Sequence, residues 1–141
     1  MRQSGYRPGR SLKPFRHRWL WACLWMLAFV GVWVLSLLPP RELPQVSVGN
    51  DKLGHFIAYF ALMAGAVQLY ARRAAWMVMA ILLALTGLGI EHLQVAMNVG
   101  RVGERADITA NMLGIFAGFA TGFTPLRDLL LRIDGGNRKL G

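Results

Sequence analysis

The chain alternates long apolar runs with short polar breaks, and the runs have the length of membrane-crossing helices. Trp19 to Leu38 is twenty residues without a charge, closed by Pro39 and Pro40. At ~1.5 Å per residue such a helix rises ~30 Å, the thickness of a bilayer's hydrocarbon core. A second run, Leu53 to Tyr70, has only His55 and Gln68 as strongly polar members and stops before Arg72 and Arg73. The third, Ala74 to Ile90, is uncharged and continues through Glu91 and Gln94 to about Met97. The fourth, Ile108 to Phe123, is broken only by Asn111 and hydroxyls before Pro125. This pattern predicts an all-α, polytopic membrane protein, a compact four-helix transmembrane bundle. Beyond it, Leu126, Leu129, Leu130 and Ile133 fall on one stripe with Arg127, Asp128 and Arg132 between them, which predicts a short helix lying at the interface. The chain thus divides into a basic tail (1–18), a transmembrane domain (19–124) and a C-terminal segment (125–141).

Composition agrees: of 141 residues 55% are apolar and only 16% charged, where a soluble domain carries about a quarter charged. The length holds one domain and excludes a large multidomain enzyme. The first run is longer than the apolar core of a cleaved leader and has no A-x-A-like site after it, so an uncleaved helix is expected. Sixteen Lys and Arg against seven Asp and Glu give a net charge of +9, and their placement sets the topology. Arg2, Arg7, Arg10, Lys13, Arg16 and Arg18, then Arg72 and Arg73, then Arg127, Arg132, Arg138 and Lys139 fall on one side; Arg41, Lys52, Arg101 and Arg105 fall on the other. Both termini are therefore expected in the cytoplasm, with Trp19, Trp21, Tyr70 and Trp76 at the inner boundary. The basic surplus serves orientation and anionic lipid, and with no recognisable reading module a nucleic-acid partner is not expected. Cys23, the single cysteine, permits no internal disulfide or thiolate cluster and reads as a small buried apolar side chain.

Chemistry gathers at the opposite face. Asp51, Lys52 and His55 open the second span, Glu91 and Gln94 close the third, Arg101, Glu104 and Arg105 fill the following loop, and Asp107 and Asn111 open the fourth. With Glu42, that side holds five of the seven acidic residues. Asp51 and His55, Glu91 and Gln94, and Asp107 and Asn111 are each three or four apart, so each pair shares a helix face. Ionisable groups in a span are costly, by about 2.5 to 3.5 kcal/mol each at the centre, and face the protein interior or a water-filled cavity. One pocket holding all six is expected, with Gly114, Gly118 and Gly122 continuing the fourth span's stripe as close-packing positions. Helices two and four present N-terminal amides to this face beside Lys52, Arg101 and Arg105, which favours an anion, and lipid phosphate is the anion at head-group depth. Asp51, His55, Glu91 and Asp107 are the candidate catalytic residues, as acid, base or ligand. Lys52, Gln94, Arg101, Arg105 and Asn111 are the candidate substrate-binding residues. A divalent cation such as Mg²⁺ suits the oxygen-rich set. Tyr59, one turn below His55, and His92, about 100° around the helix from Glu91, read as packing and boundary residues; His17 reads as part of the basic tail.

The ordered set D-K-x-x-H at Asp51 to His55, E-x-x-Q at Glu91 to Gln94, and R-x5-D-x3-N-x2-G from Arg101 to Gly114 resembles the VanZ-like family of bacterial membrane proteins. The resemblance covers about Ser36 to Gly118, and Glu104 and Arg105 depart from it. It implies a small multi-pass protein of the bacterial cytoplasmic (inner) membrane. The family is named for a member associated with resistance to teicoplanin, and its wider group is suspected of acting on phosphate-linked lipid head groups or polyprenyl carriers.

Two function classes follow. One is an outer-face pocket that binds and processes a membrane lipid or lipid-linked cell-envelope precursor by phosphoryl or head-group transfer or hydrolysis. The other is a non-enzymatic membrane interaction or assembly protein whose polar cluster is hydrogen-bonded glue between helices.

Overall fold

The computed structural model describes residues 11–38, 51–98 and 105–135, the side chain of Asp51 excepted. Among these the regular structure is helical, apart from an isolated antiparallel bridge between Leu12 and Tyr70. Helix α1 is Arg18–Leu37, α2 Asp51–Leu69, α3 Arg73–Met97 and α4 Arg105–Ala120, followed by 3-10 turns at Thr121–Phe123 and Pro125–Asp128 and by the short α5, Leu129–Asp134. Helices α1, α2 and α3 are long and apolar enough to cross a membrane. The fourth apolar run divides between α4 and the first 3-10 turn, and the predicted interfacial helix between the second turn and α5.

The ends have local causes. Leu38 is extended (φ −72°, ψ 141°), as a residue before proline must be, so Pro39 stops α1. α3 runs past Glu91 and Gln94 and closes on Asn98 in the left-handed region (φ 48°), which asparagine tolerates better than most residues. Thr124 opens the second 3-10 turn by accepting from the Leu126 amide, with Pro125 in first position.

Two glycines set the tightest packing. A Cβ on Gly114 would stand 2.5 Å from the Phe56 carbonyl oxygen, and one on Gly118 would stand 2.8 Å from that of Phe60. Backbone thus meets backbone, and the register, 114 against 56–60 and 118 against 60–64, makes α2 and α4 parallel. α3 runs the other way: its early Trp76 meets Gly122 and its late Gly87 meets Tyr59 and Asn111. Trp76, expected at the membrane boundary, is instead core. It is fully buried, donates to the Tyr70 carbonyl at 2.8 Å and packs edge-on to Phe119 and Phe123, because Gly122 leaves room for its ring.

The surrounding core is Tyr59, Leu62, Met63, Val67, Leu83 and Ile115. α1 lies outside it with no buried residue, attached by Trp25, whose indole donates to the Leu62 carbonyl at 2.9 Å. Its other faces expose Leu24, Leu27, Val30 and Val34, as α3 exposes Ile81 and Leu85 and α4 exposes Leu113 and Phe116. An apolar exterior this continuous matches a hydrocarbon surround. Cys23, expected to be buried, is exposed on α1, where lipid accepts a small apolar side chain.

Candidate functional site

Parallel α2 and α4 with antiparallel α3 bring two helix beginnings and one helix end together. His55 lies one turn into α2, Glu91 and Gln94 lie in the last turns of α3, and Asp107 and Asn111 lie in the first two turns of α4. All five side chains are buried. One ligand atom each from His55, Glu91 and Asp107 lies within 4.8 Å of the others, so three helices deliver an imidazole and two carboxylates to one point. Asp107 sits in the first turn of α4, where backbone amides and the helix dipole favour negative charge.

Hydrogen bonds hold the ring and the helices. The Nδ1 of His55 donates to the Asn111 Oδ1 at 3.0 Å, which makes Nε2 the acceptor nitrogen of a neutral ring. Gln94 donates to the Ser36 carbonyl at 2.6 Å and ties α3 to the end of α1. Behind them, a Cβ on Gly87 would stand 3.0 Å from the Asn111 Nδ2 and 3.3 Å from the Tyr59 hydroxyl. The bare backbone at 87 lets both polar groups face the same space. The Tyr59 hydroxyl is buried and makes no hydrogen bond among the described residues.

The remaining candidates lie elsewhere. Lys52 and Arg105, in the first turns of α2 and α4, are exposed at the rim. Asp51 begins α2, but its side chain lies outside the described residues, as do Glu42, Arg101 and Glu104. His92 is exposed and its Nδ1 donates to the Leu88 carbonyl at 2.8 Å, a boundary residue as expected.

Sequence spacing missed a second polar cluster at the other end. Lys13 is buried, and its ammonium donates to the carbonyls of Val67 (2.9 Å) and Arg127 and meets Asp128 at 2.9 Å. Burial pulls this lysine's pKa down, against the neighbouring Asp128, which raises it. Asp134, also buried, accepts from the Arg16 and His17 amides, from the Trp21 indole at 2.9 Å and from the His17 ring at 3.1 Å. Burial pushes its carboxyl up, but those hydrogen bonds outweigh it and hold the group below the usual carboxylate range. With the Lys13 amide donating to Leu69 and the Ala71 amide to Ser11, residues 11–17 are clamped between the end of α2 and α5. His17 is therefore an exposed member of this clamp, held by its amide and ring to Asp134. The available sign was that Asp128 and Asp134 are the acids standing apart from the other five, in a basic stretch where each needs a reason.

No protein-family model, curated protein or solved structure matches the chain. The functional reading therefore rests on the site itself.

Proposed function

We propose that the chain is a VanZ-like protein of the bacterial cytoplasmic membrane, a four-helix transmembrane bundle with both termini cytoplasmic. Its outer-face cluster binds and processes a phosphorylated lipid or lipid-linked cell-envelope precursor. The observation that carries this reading is the convergence of buried His55, Glu91 and Asp107 within 4.8 Å at one end of a set of helices whose long outer faces are apolar. Ionisable groups at that depth serve ligands and proton transfer far more often than packing.

In this reading Lys52 and Arg105 at the rim, with Arg101, draw the phosphate to the site by charge. Two parallel helix N-termini add their dipoles in the same sense. Asn111 holds the His55 ring, and His55 with Glu91 or Asp107 takes the proton of the hydroxyl or water that attacks phosphorus; the P–O bond to the departing group breaks as the new one forms, and the same proton is returned to the leaving oxygen. Gln94 holds the end of α3 in place through Ser36. A contribution to teicoplanin resistance follows if the lipid is a cell-wall precursor carrier.

The test is lipid retention. The purified full chain is reconstituted in nanodiscs containing phosphatidylglycerol, phosphatidic acid or undecaprenyl phosphate, and bound lipid is read by native mass spectrometry. The Arg105→Ala variant should retain about tenfold less phosphorylated lipid, the loss of roughly one charge-assisted hydrogen bond, while Glu91→Gln, which removes a proton acceptor and not an anion ligand, should retain it and lose processing. Unchanged retention in folded Arg105→Ala overturns the proposal. The His55–Asn111 and Gln94–Ser36 bonds, which join helices, favour the second reading of a purely structural cluster. That reading requires retention and thermal stability to fall together.

A further inference from the structure

We propose that His55, Glu91 and Asp107 together hold one divalent cation, for which Mn²⁺ is a well-matched probe. Around such an ion, ligand atoms at about 2.1 Å stand about 3 Å apart when adjacent and about 4.2 Å apart when opposite. The three ligand atoms all lie within 4.8 Å of one another, so their separations close by at most about 1.8 Å for an adjacent pair and about 0.6 Å for an opposite pair to share a centre. Each comes from a different helix and each residue is buried, so the site is assembled by the fold and withdrawn from bulk water. A divalent cation seated between two carboxylates at that depth is attracted by both at once.

Two further observations point to the same ligand. The His55 Nδ1 hydrogen is committed to Asn111 at 3.0 Å. A metal-ligating imidazole is held in this way, its other nitrogen donating to a fixed acceptor so that the tautomer and ring orientation suit the ion. Second, the Tyr59 hydroxyl, buried on the next turn of α2 and without a hydrogen-bond partner among the described residues, faces the space left by Gly87 beside Asn111. A water carried by the cation gives that hydroxyl a partner. One nitrogen with two carboxylate oxygens is a donor set between the oxygen-only sites of Mg²⁺ and the imidazole-rich sites of Zn²⁺, which is where Mn²⁺ falls.

This assignment rests on reading the cluster as the working site, with His55 Nε2 then held by the ion and proton transfer falling to the second carboxylate oxygen of Glu91 or Asp107, and the lipid plays no part in its test. The full chain in detergent is stripped with EDTA, dialysed and titrated with Mn²⁺ while the free-ion EPR signal is followed. Expected are uptake of about one ion per chain and a nitrogen modulation from one imidazole in pulsed EPR. The His55→Gln variant should lose that modulation, and Glu91→Gln and Asp107→Asn should each weaken uptake about tenfold or more. Absence of saturable uptake by the stripped wild-type chain overturns the proposal, and this result does not depend on how any variant folds. Uptake of equal affinity in all three variants overturns it equally. Phosphatidylglycerol retention measured on the same stripped sample separates the two readings. Lipid held without ion uptake removes only the cation, and ion uptake without lipid leaves the cation and removes the lipid.

Discussion

The two ends of the helix assembly both bury charge, and they do so in opposite ways. At the clamp, Asp134 collects two backbone amides, an indole and an imidazole, and Lys13 meets two carbonyls and a carboxylate. Donors and acceptors there alternate in sign, and the charged atoms bond mainly to backbone. At the other end, Glu91 and Asp107 place two carboxylates around one imidazole, so like charges are concentrated. Burial of the first kind fixes a chain segment in place. Burial of the second kind sets two carboxylates against each other, a cost that the first kind avoids.

The sharpest way to break this contrast is to empty the clamp. Asp134→Ala leaves the Arg16 and His17 amides and the Trp21 indole without their acceptor, and each buried donor left unsatisfied costs about 1 to 3 kcal/mol. A loss of about 3 kcal/mol is expected, because some donors will find lipid head groups or water. Thermal denaturation in detergent should show it, with lipid retention by the folded fraction unchanged. If Asp134→Ala instead abolishes retention at full stability, the functional end has been misassigned.

Lys13→Met comes next. It keeps the volume of the stem while removing the ammonium, and it leaves Asp128 and the Val67 and Arg127 carbonyls without that donor. Because Asp128 is partly exposed, water replaces some of the loss, and about 1 to 2 kcal/mol is expected by the same thermal measurement.

That these two residues matter was hard to read from sequence, while the site was easier. The apolar runs located α1, α2 and α3 to within two residues at the ends compared, because twenty-odd apolar positions have one stable solution in lipid. His55, Glu91, Gln94, Asp107 and Asn111 stood out as polar residues inside those runs, at spacings that decide which face they share. Lys13 and Asp134 lie outside the runs, and their contacts join positions over a hundred residues apart, for which no local periodicity exists. Trp76 failed for a related reason: an aromatic ring near a helix end reads as a boundary anchor until Gly122, distant in sequence, is known to stand against it.

A smaller effect comes from pH and separates the ends without mutation. Asp134 titrates below the usual carboxylate range in the folded chain, so between that value and the unfolded value of about 4 the unfolded state binds more protons. Its contribution is complete above about pH 5 and is lost as pH falls through the lowered folded value. Thermal stability should therefore be flat from pH 7 to 5 on account of this residue and decline below about pH 4. The Asp134→Asn variant should show a shallower decline over that window. An equal slope in both chains would show that the carboxylate contributes nothing through its charge.

The smallest expected change in stability is also the most discriminating, because its size is at issue. Glu91→Gln preserves shape and removes one of the two neighbouring carboxylates. If the cluster is tuned for a ligand rather than for the fold, the ligand-free variant should differ from the parent by no more than about 1 kcal/mol in either direction, since relief of like-charge repulsion is set against the loss of the carboxylate's other contacts. Were Glu91 a structural pillar comparable to Asp134, the same substitution would lower stability by as much as Asp134→Ala does under the same conditions. Melting both variants with and without Mn²⁺ completes the comparison: added ion should raise the midpoint of Asp134→Asn as it does that of the parent, and should leave Glu91→Gln nearly unmoved, because a ligand stabilises only the chain that binds it.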